Sequence, residues 1–308
     1  MLKSKGRGVP KDIQIMDRLT NALIRETVFS ENKMQLLYGN PIGLAVTSRV
    51  LTTKWLNALY GAYHDSPASR SKIGPFIDEL HINLDECAQS LDSYRSFNEF
   101  FARKLKDSAR PIHGDERSVV SPADGRMLIF PQLQAESISH VKWAPIRLLD
   151  LFGADAALAA RYQGGSCLVA RLCPADYHRF HFPVSGKAGP TRVVPGRLHS
   201  VSPYALEQKI PVFALNKRTI TEIETPNAGT VLYMEIGALL VGSIVQTFAA
   251  QKHFERGAEK GFFKFGGSTV IVFFEPNRIT FDPDLVQNSS QHIETLVRMG
   301  EQVAIIRS

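Results

Sequence analysis

Cysteine is scarce: Cys87, Cys167 and Cys173 are the only three in 308 residues, and no two form a CxxC pair. An odd, scattered set argues against a disulfide scaffold or a thiolate zinc site, and favours a reducing compartment. A secretory leader is also missing, because the basic start MLKSKGRGVPKDIQ runs into no apolar segment. Long hydrophobic runs are nearly absent. Val231 to Ala250 comes nearest, at about the 20 residues a spanning helix requires. Glu235, Gly237, Gly242 and Gln246 interrupt it, and β-branched residues enrich it. Two buried strands with a glycine break between them explain this run better than a membrane span does. Repeats, low-complexity tracts, HExxH, GxSxG and a Walker-type phosphate loop are all missing. What remains is an ordinary globular composition, 44% hydrophobic and 21% charged. Its length suits one sizeable core plus an accessory region. The net charge of +6 is compatible with nucleic acid, an anionic membrane surface or neither.

The pattern divides the chain near residue 110. Met16, Leu19, Leu23, Ile24 and Val28 recur at helical spacing, and Ile42 to Tyr60 repeats the theme after Asn40-Pro41. Further helices are predicted around Asp85 to Ala88 and over Ser96 to Leu105, where Ser96-Phe97-Asn98-Glu99 has the capping-box form. The first 11 residues carry Lys3, Lys5, Arg7 and Lys11 and no acid. Basic amphipathic helices of this kind lie on anionic membranes or pack on their own domain, and pattern alone does not choose. From Ser118 onward, short β-branched or aromatic runs alternate with Gly, Pro and Asn. They predict strands at 126–130, 166–172, 191–194, 219–224, 230–236, 244–248 and 269–274. Trp143 to Ala160 reads as a helical interruption. The fold class expected is α+β, with an N-terminal helical region over 1–110 and a largely antiparallel β-rich core over 111–308.

Three strings carry candidate chemistry. Ser121-Pro122-Ala123-Asp124-Gly125 is a turn at the mouth of a strand, and Asp before Gly is common turn chemistry. Asp176-Tyr177-His178-Arg179-Phe180-His181 sets two histidines three apart between prolines. No HExxH or cysteine cluster supplies the further ligands a metal site needs, so proton transfer suits them better and no metal is expected. Phe265-Gly266-Gly267-Ser268-Thr269 precedes a buried strand. It reads as a bulge, a phosphate nest, or a serine nucleophile with strained backbone beside it. Asp, His and Ser in that order are the ingredients of a triad, although no nucleophile elbow surrounds Ser268.

In order and spacing these strings resemble the phosphatidylserine decarboxylases from roughly Ser96 to the end. The resemblance includes Asn98-Glu99-Phe100-Phe101-Ala102-Arg103-Lys104-Leu105, the Asp124 and His178 strings, Ser202-Pro203-Tyr204-Ala205-Leu206, Val241-Gly242-Ser243-Ile244, Lys260-Gly261 and Gly266-Gly267-Ser268-Thr269. Many members have Leu-Gly-Ser-Thr, and the Gly-Gly-Ser-Thr form resembles a second bacterial and eukaryotic subgroup.

The resemblance implies a self-processing enzyme that makes a covalent pyruvoyl group from its own Ser268. Asp124 would support His181, and His181 would take the proton of Ser268, whose Oγ attacks the Gly267 carbonyl. Cleavage between Gly267 and Ser268 would yield a β chain 1–267 and an α chain 268–308. The pyruvoyl group would form a Schiff base with phosphatidylserine, release carbon dioxide and yield phosphatidylethanolamine, with His178 as proton donor or orienting group. The two chains would stay together as a heterodimer, and a homodimer of that pair is usual in similar proteins. A lipid substrate implies an anionic membrane surface as partner, met by the N-terminal third, and no nucleic acid. The expected location is the cytoplasmic face of a bacterial cell membrane, or an organelle membrane in a eukaryote. The alternatives are a Ser-His-Asp lipid or ester hydrolase without self-cleavage, a non-catalytic membrane- or phosphate-binding module, and a decarboxylase of another serine-headgroup lipid.

Overall fold

A computed structural model describes residues 13–133, 137–138, 144–239, 243–266 and 268–307. Lys3, Lys5, Arg7, Lys11, Trp143, Val241, Gly242 and Gly267 lie outside the described residues. The strands, in chain order, begin with β1 (Gln14–Asp17), β2 (Ala22–Arg25), β3 (Ser118–Val120), β4 (Gly125–Phe130), β5 (Ser137–Ile138) and β6 (Ile146–Arg147). They continue with β7 (Ser166–Leu172), β8 (Arg179–His181), β9 (Gly186–Ala188), β10 (Arg192–Val194), β11 (Arg218–Glu224), β12 (Thr230–Gly237) and β13 (Ile244–Gln246). The last are β14 (His253–Phe254), β15 (Glu259–Phe263), β16 (Ser268–Phe274), β17 (Ile279–Phe281), β18 (Thr295–Val297) and β19 (Gln302–Ile306).

An eleven-stranded sheet organises the protein in the order β14-β9-β11-β12-β16-β7-β4-β18-β1-β2, with β10 beside β11. All its pairings are antiparallel except β1 on β18. Its central strand β16 is buried on both faces, which is why Val270-Ile271-Val272-Phe273-Phe274 is apolar without alternation. Val270, Val272 and Phe274 enter one core with Val231, Tyr233 and Phe180; Ile271 and Phe273 enter the other with Leu232, Met234 and Phe152. A three-stranded sheet, β13-β15-β8, carries His181 at the end of β8. The 231–250 run therefore supplies β12 and β13, strands of two different sheets, as its composition predicts.

Among the described residues, five α-helices precede residue 102, namely α1 (Glu31–Tyr38), α2 (Pro41–Val46), α3 (Lys54–Asp65), α4 (Ile73–Leu80) and α5 (Phe97–Phe101), and shorter or isolated ones, the last Pro283–Ser290, lie among the later strands. A π-helical turn over Thr47–Leu51 links α2 to α3, and a 3₁₀ turn over Pro67–Lys72 links α3 to α4. Asn40 caps α2 by accepting from Gly43 N at 2.8 Å, with Pro41 at the first helical position. Among the described residues, no helix is long and apolar enough to cross a membrane.

Three helical expectations need correction. The segment expected as a helix over Met16 to Val28 instead belongs, up to Arg25, to the β1–β2 hairpin. Asp17 accepts from Leu19 N at 3.0 Å and from Thr20 Oγ1 at 2.8 Å, and Asn21 takes φ 52°, so side-chain turn chemistry reverses the chain. Ile15 is buried by this docking, whereas Leu19 and Leu23 of the supposed apolar stripe stay exposed. Asp85 to Ala88 contributes only to a 3₁₀ turn, Leu84–Glu86, and the helix after Ser96 stops at Phe101 rather than Leu105. One cause serves both: these segments pair with each other, through Ala88 N to Lys104 O at 2.9 Å and Lys106 N to Glu86 O at 2.8 Å. In the 143–160 interval, two short helices, Leu148–Leu151 and Ala156–Tyr162, are separated by Gly153 and Ala154, both with positive φ.

Candidate active site

Ser268 opens β16, with Leu172 of β7 and Gly237 of β12 opposite it on either side. Its side chain is fully buried, and its Oγ has no hydrogen-bond partner among the described residues. An unsatisfied buried hydroxyl costs roughly 1–3 kcal/mol and calls for an explanation, which a functional role would supply. Two residues earlier, Gly266 takes φ 133°, a conformation that side chains with a Cβ rarely adopt.

His178 borders this segment. Its Nδ1 lies 2.9 Å from the Asp176 carbonyl oxygen and its ring centroid 4.0 Å from that of Phe101. A carbonyl only accepts, so Nδ1 carries the proton and donates, leaving Nε2 with a free lone pair and no hydrogen-bond partner among the described residues. Burial pushes its pKa down to about 3, against the weaker opposing pull of the Asp176 and Gly266 backbone. His178 is a neutral imidazole.

His181 is built the same way. Nδ1 donates to the Gly257 carbonyl at 2.9 Å, and Nε2 accepts from the Tyr177 hydroxyl at 3.3 Å. Burial lowers its pKa, with Gly257, Glu259 and Asp124 pulling the other way. Asp124 is thus within electrostatic reach of His181 but makes no hydrogen bond to it. Arg110 holds the Asp124 carboxylate instead, with Nε to Oδ1 at 2.9 Å and Nη2 to Oδ2 at 2.6 Å, and Met299 N adds a third donor at 2.8 Å. Among the described residues, no hydrogen bond joins Asp124, His181 and Ser268 in sequence.

A cavity of about 570 Å³ reaches from Phe265, Gly266 and Leu172 out to the helices, where Lys33, Tyr60 and Lys72 line it. At its inner wall Glu26 accepts from Arg171 at 2.8 Å and from the Cys173 thiol at 2.6 Å, and pairs with Arg126 at 3.1 Å. Arg126 in turn pairs with Asp176, whose carbonyl orients His178. The apolar cavity beside Gly266, two histidines whose pKa burial lowers, and a Ser268 hydroxyl without a partner among the described residues suit a reaction that begins by removing a hydroxyl proton.

The sequence profile of phosphatidylserine decarboxylases matches residues 97–305. A phosphatidylserine decarboxylase proenzyme of Chlamydia felis is 45% identical over 293 residues, which span 95% of this chain and 98% of that one. Proenzymes of the same description from Clostridium kluyveri and Fusobacterium nucleatum are 40% and 39% identical, over 95% and 94% of this chain and 99% and 96% of theirs. The chain belongs to the phosphatidylserine decarboxylase family. Its relatives align well upstream of Ser96, so the N-terminal region is shared with them.

Several residues of the candidate site escape a reading based on catalytic types. Asn98 Oδ1 accepts from Phe265 N at 2.9 Å, while its Nδ2 donates to Asp65 at 2.9 Å. The Phe265 ring is held edge-on by Phe97 and Phe101 at 4.8 and 5.1 Å and stacks on His64 at 5.2 Å. The Asn98-Glu99-Phe100-Phe101 string therefore clamps the chain three residues before Ser268. Arg110, Tyr177 and Glu26 are the other omissions. Tyr177 lies within the Asp176–His181 string and Arg110 between two of the quoted strings, whereas nothing in the sequence connects Glu26 with this site.

Proposed function

We propose that the protein is a phosphatidylserine decarboxylase proenzyme that cleaves itself between Gly267 and Ser268 and acts through a pyruvoyl group derived from Ser268. The observation that carries this reading is the buried Ser268 hydroxyl, without a hydrogen-bond partner among the described residues, two residues after a positive-φ glycine that lines a cavity large enough for a lipid headgroup. The hydroxyl attacks the Gly267 carbonyl and converts the peptide bond into an ester. Elimination of that ester breaks the Ser268 Cβ–Oγ bond, leaving a carboxyl terminus at Gly267, and addition of water then expels the Ser268 nitrogen as ammonia. When formed, the pyruvoyl group supplies the electron sink that lets carbon dioxide leave a serine headgroup.

The chain's own residues supply the proton handling. His181 is the acceptor for the Ser268 proton: with Nδ1 fixed on Gly257, its Nε2 lone pair is available once Tyr177 yields it. Asp124 favours the resulting imidazolium through its field rather than by direct contact. His178, on the Gly266 side, handles the proton delivered to the product, held by the Asp176 carbonyl and Phe101. The two chains stay joined because β16, on the C-terminal product, pairs with β12 and β7 on the other.

The membrane-facing part of the reading rests on α1 to α3. Leu36, Ile42, Trp55 and Leu59 are 67, 78, 62 and 63% exposed, while Leu37, Leu51 and Tyr60 of the same region line the cavity. An exposed apolar surface continuous with a lipid-sized cavity fits peripheral attachment to an anionic bilayer, at the cytoplasmic face of a cell membrane. A denaturing intact-mass spectrum tests the core of this reading. The expected species is a fragment of residues 268–308, lighter by one ammonia than its serine form, in the wild type and absent from Ser268→Ala. A single full-length mass from active protein would overturn it.

A further inference from the structure

The cavity wall carries two lysines that the reaction described above does not use. Lys33 lies on α1 and is exposed; Lys72 ends the 3₁₀ turn and is half-buried. Neither forms an ion pair with a carboxylate among the described residues. They are close enough that Lys33 adds to burial in lowering the Lys72 pKa. The other charged groups on this wall are committed. Glu26 is taken by Arg171, Arg126 and Cys173, Arg171 is shared between Glu26 and Glu294, and Glu79 accepts from Ser30 N at 3.1 Å.

Lys72 is held in place rather than left to wander. Its Nζ lies 3.3 Å from His64 Nε2 and 4.5 Å from the Tyr63 ring centroid. His64 donates from Nδ1 to the Tyr60 carbonyl at 2.8 Å, so Nε2 is bare and accepts from the ammonium. The same imidazole stacks on Phe265, three residues before Ser268. A chain of direct contacts thus runs from the reacting serine's own segment through Phe265 and His64 to Lys72.

Two cations facing one cavity without a carboxylate partner among the described residues repel each other, and an anion between them removes that cost. The serine amine and carboxylate must lie at the Ser268 end for decarboxylation, so the charge left to meet these lysines is the phosphodiester. We infer that Lys33 and Lys72 form the subsite for the lipid phosphate, with His64 and Tyr63 positioning Lys72. The inference rests on the decarboxylase reading and adds a specificity element to it: the site selects a phosphodiester-linked serine over a serine joined to an alkyl chain without phosphate.

The test uses Lys33→Ala/Lys72→Ala enzyme with phosphatidylserine dispersed in uncharged detergent micelles, where attraction to an anionic surface is absent. The mass spectrum should show normal maturation, and kcat/KM should fall on the order of 10- to 100-fold, as loss of charge-assisted contacts predicts. On an O-alkyl serine, which keeps the amine and carboxylate but lacks phosphate, variant and wild type should match. Should the double variant fail to mature, Lys33→Ala alone, at an exposed position, should still lower kcat/KM in the micelles. A wild type that matures but releases no carbon dioxide would refute the decarboxylase reading itself. With an active wild type, the phosphate subsite is refuted by an unchanged kcat/KM in micelles, by a defect seen only on anionic vesicles, or by equal losses on both substrates.

Discussion

Replacing Glu26 by Gln isolates the charge that ties the N-terminal hairpin to the floor of the cavity. Glu26 is 4% exposed, and its carboxylate faces Arg171, Arg126 and the Cys173 thiol. Burial alone would raise its pKa, but the two guanidinium groups outweigh it and hold the value at about 2 against an ordinary 4.5. That difference corresponds to about 3 kcal/mol of stability at neutral pH. Breaking a buried ion pair by removing one partner leads independently to about 3–5 kcal/mol, because the guanidinium charge left behind stays out of water. The two routes agree, so Glu26→Gln should cost about 3 kcal/mol. Urea unfolding should be followed in a Ser268→Ala background, so that one uncleaved chain is compared with another. The pH dependence has a fixed sign. The folded-state pKa lies below the unfolded one, so the gap between the two proteins is complete above pH 4.5 and closes as pH falls toward 2. A gap under about 0.5 kcal/mol at pH 7, or one that widens on acidification, would refute the argument.

His181→Ala and Asp124→Asn should each leave full-length precursor on a denaturing gel. His178→Ala should mature yet release carbon dioxide poorly, and failure to mature would show that both histidines serve cleavage. Asn98→Leu removes the acceptor for Phe265 N and leaves a buried donor unpaired, at about 1–3 kcal/mol. Its processing time course should slow, and a normal rate would separate the clamp from cleavage. Trp55→Ser/Leu59→Ser should weaken sedimentation with anionic vesicles by at least about tenfold, while turnover of micellar substrate stays unchanged. Unaltered vesicle binding would place the bilayer on another face.

The β-rich core was legible because burial on both faces writes itself into composition. The strand predicted over 166–172 matches β7, and the one over 269–274 begins one residue inside β16. The hairpin at 14–25 was not legible in that way. Its strand pairing with β18 joins residues nearly the whole chain apart, and its turn depends on Asp17 and Asn21 rather than on apolar spacing. The site follows the same division. Ser268, His178, His181 and Asp124 stand out by chemical type. The groups that fix them are a backbone carbonyl at Gly257, an asparagine on α5 and an arginine before Pro111. Such partners are recognisable only after folding, since their residue types serve ordinary structural roles throughout the chain.

The Arg110–Asp124 pair bears on when cleavage starts. Asp124 spends its carboxylate on Arg110 and Met299 N, and His181 spends Nε2 on Tyr177, so the folded precursor holds its acid–base groups on other partners. If Ser268 and His181 act as proposed, β16 is already in register and Phe265 clamped in this arrangement, and proton transfer would need local hydrogen-bond exchanges at Asp124 and His181. The large conformational entropy cost falls on folding, and the exchange of one hydrogen bond for another involves about 1 kcal/mol. A self-cleaving chain benefits from that order, because a peptide bond cut before β16 had paired with β12 and β7 would release the C-terminal segment instead of retaining it.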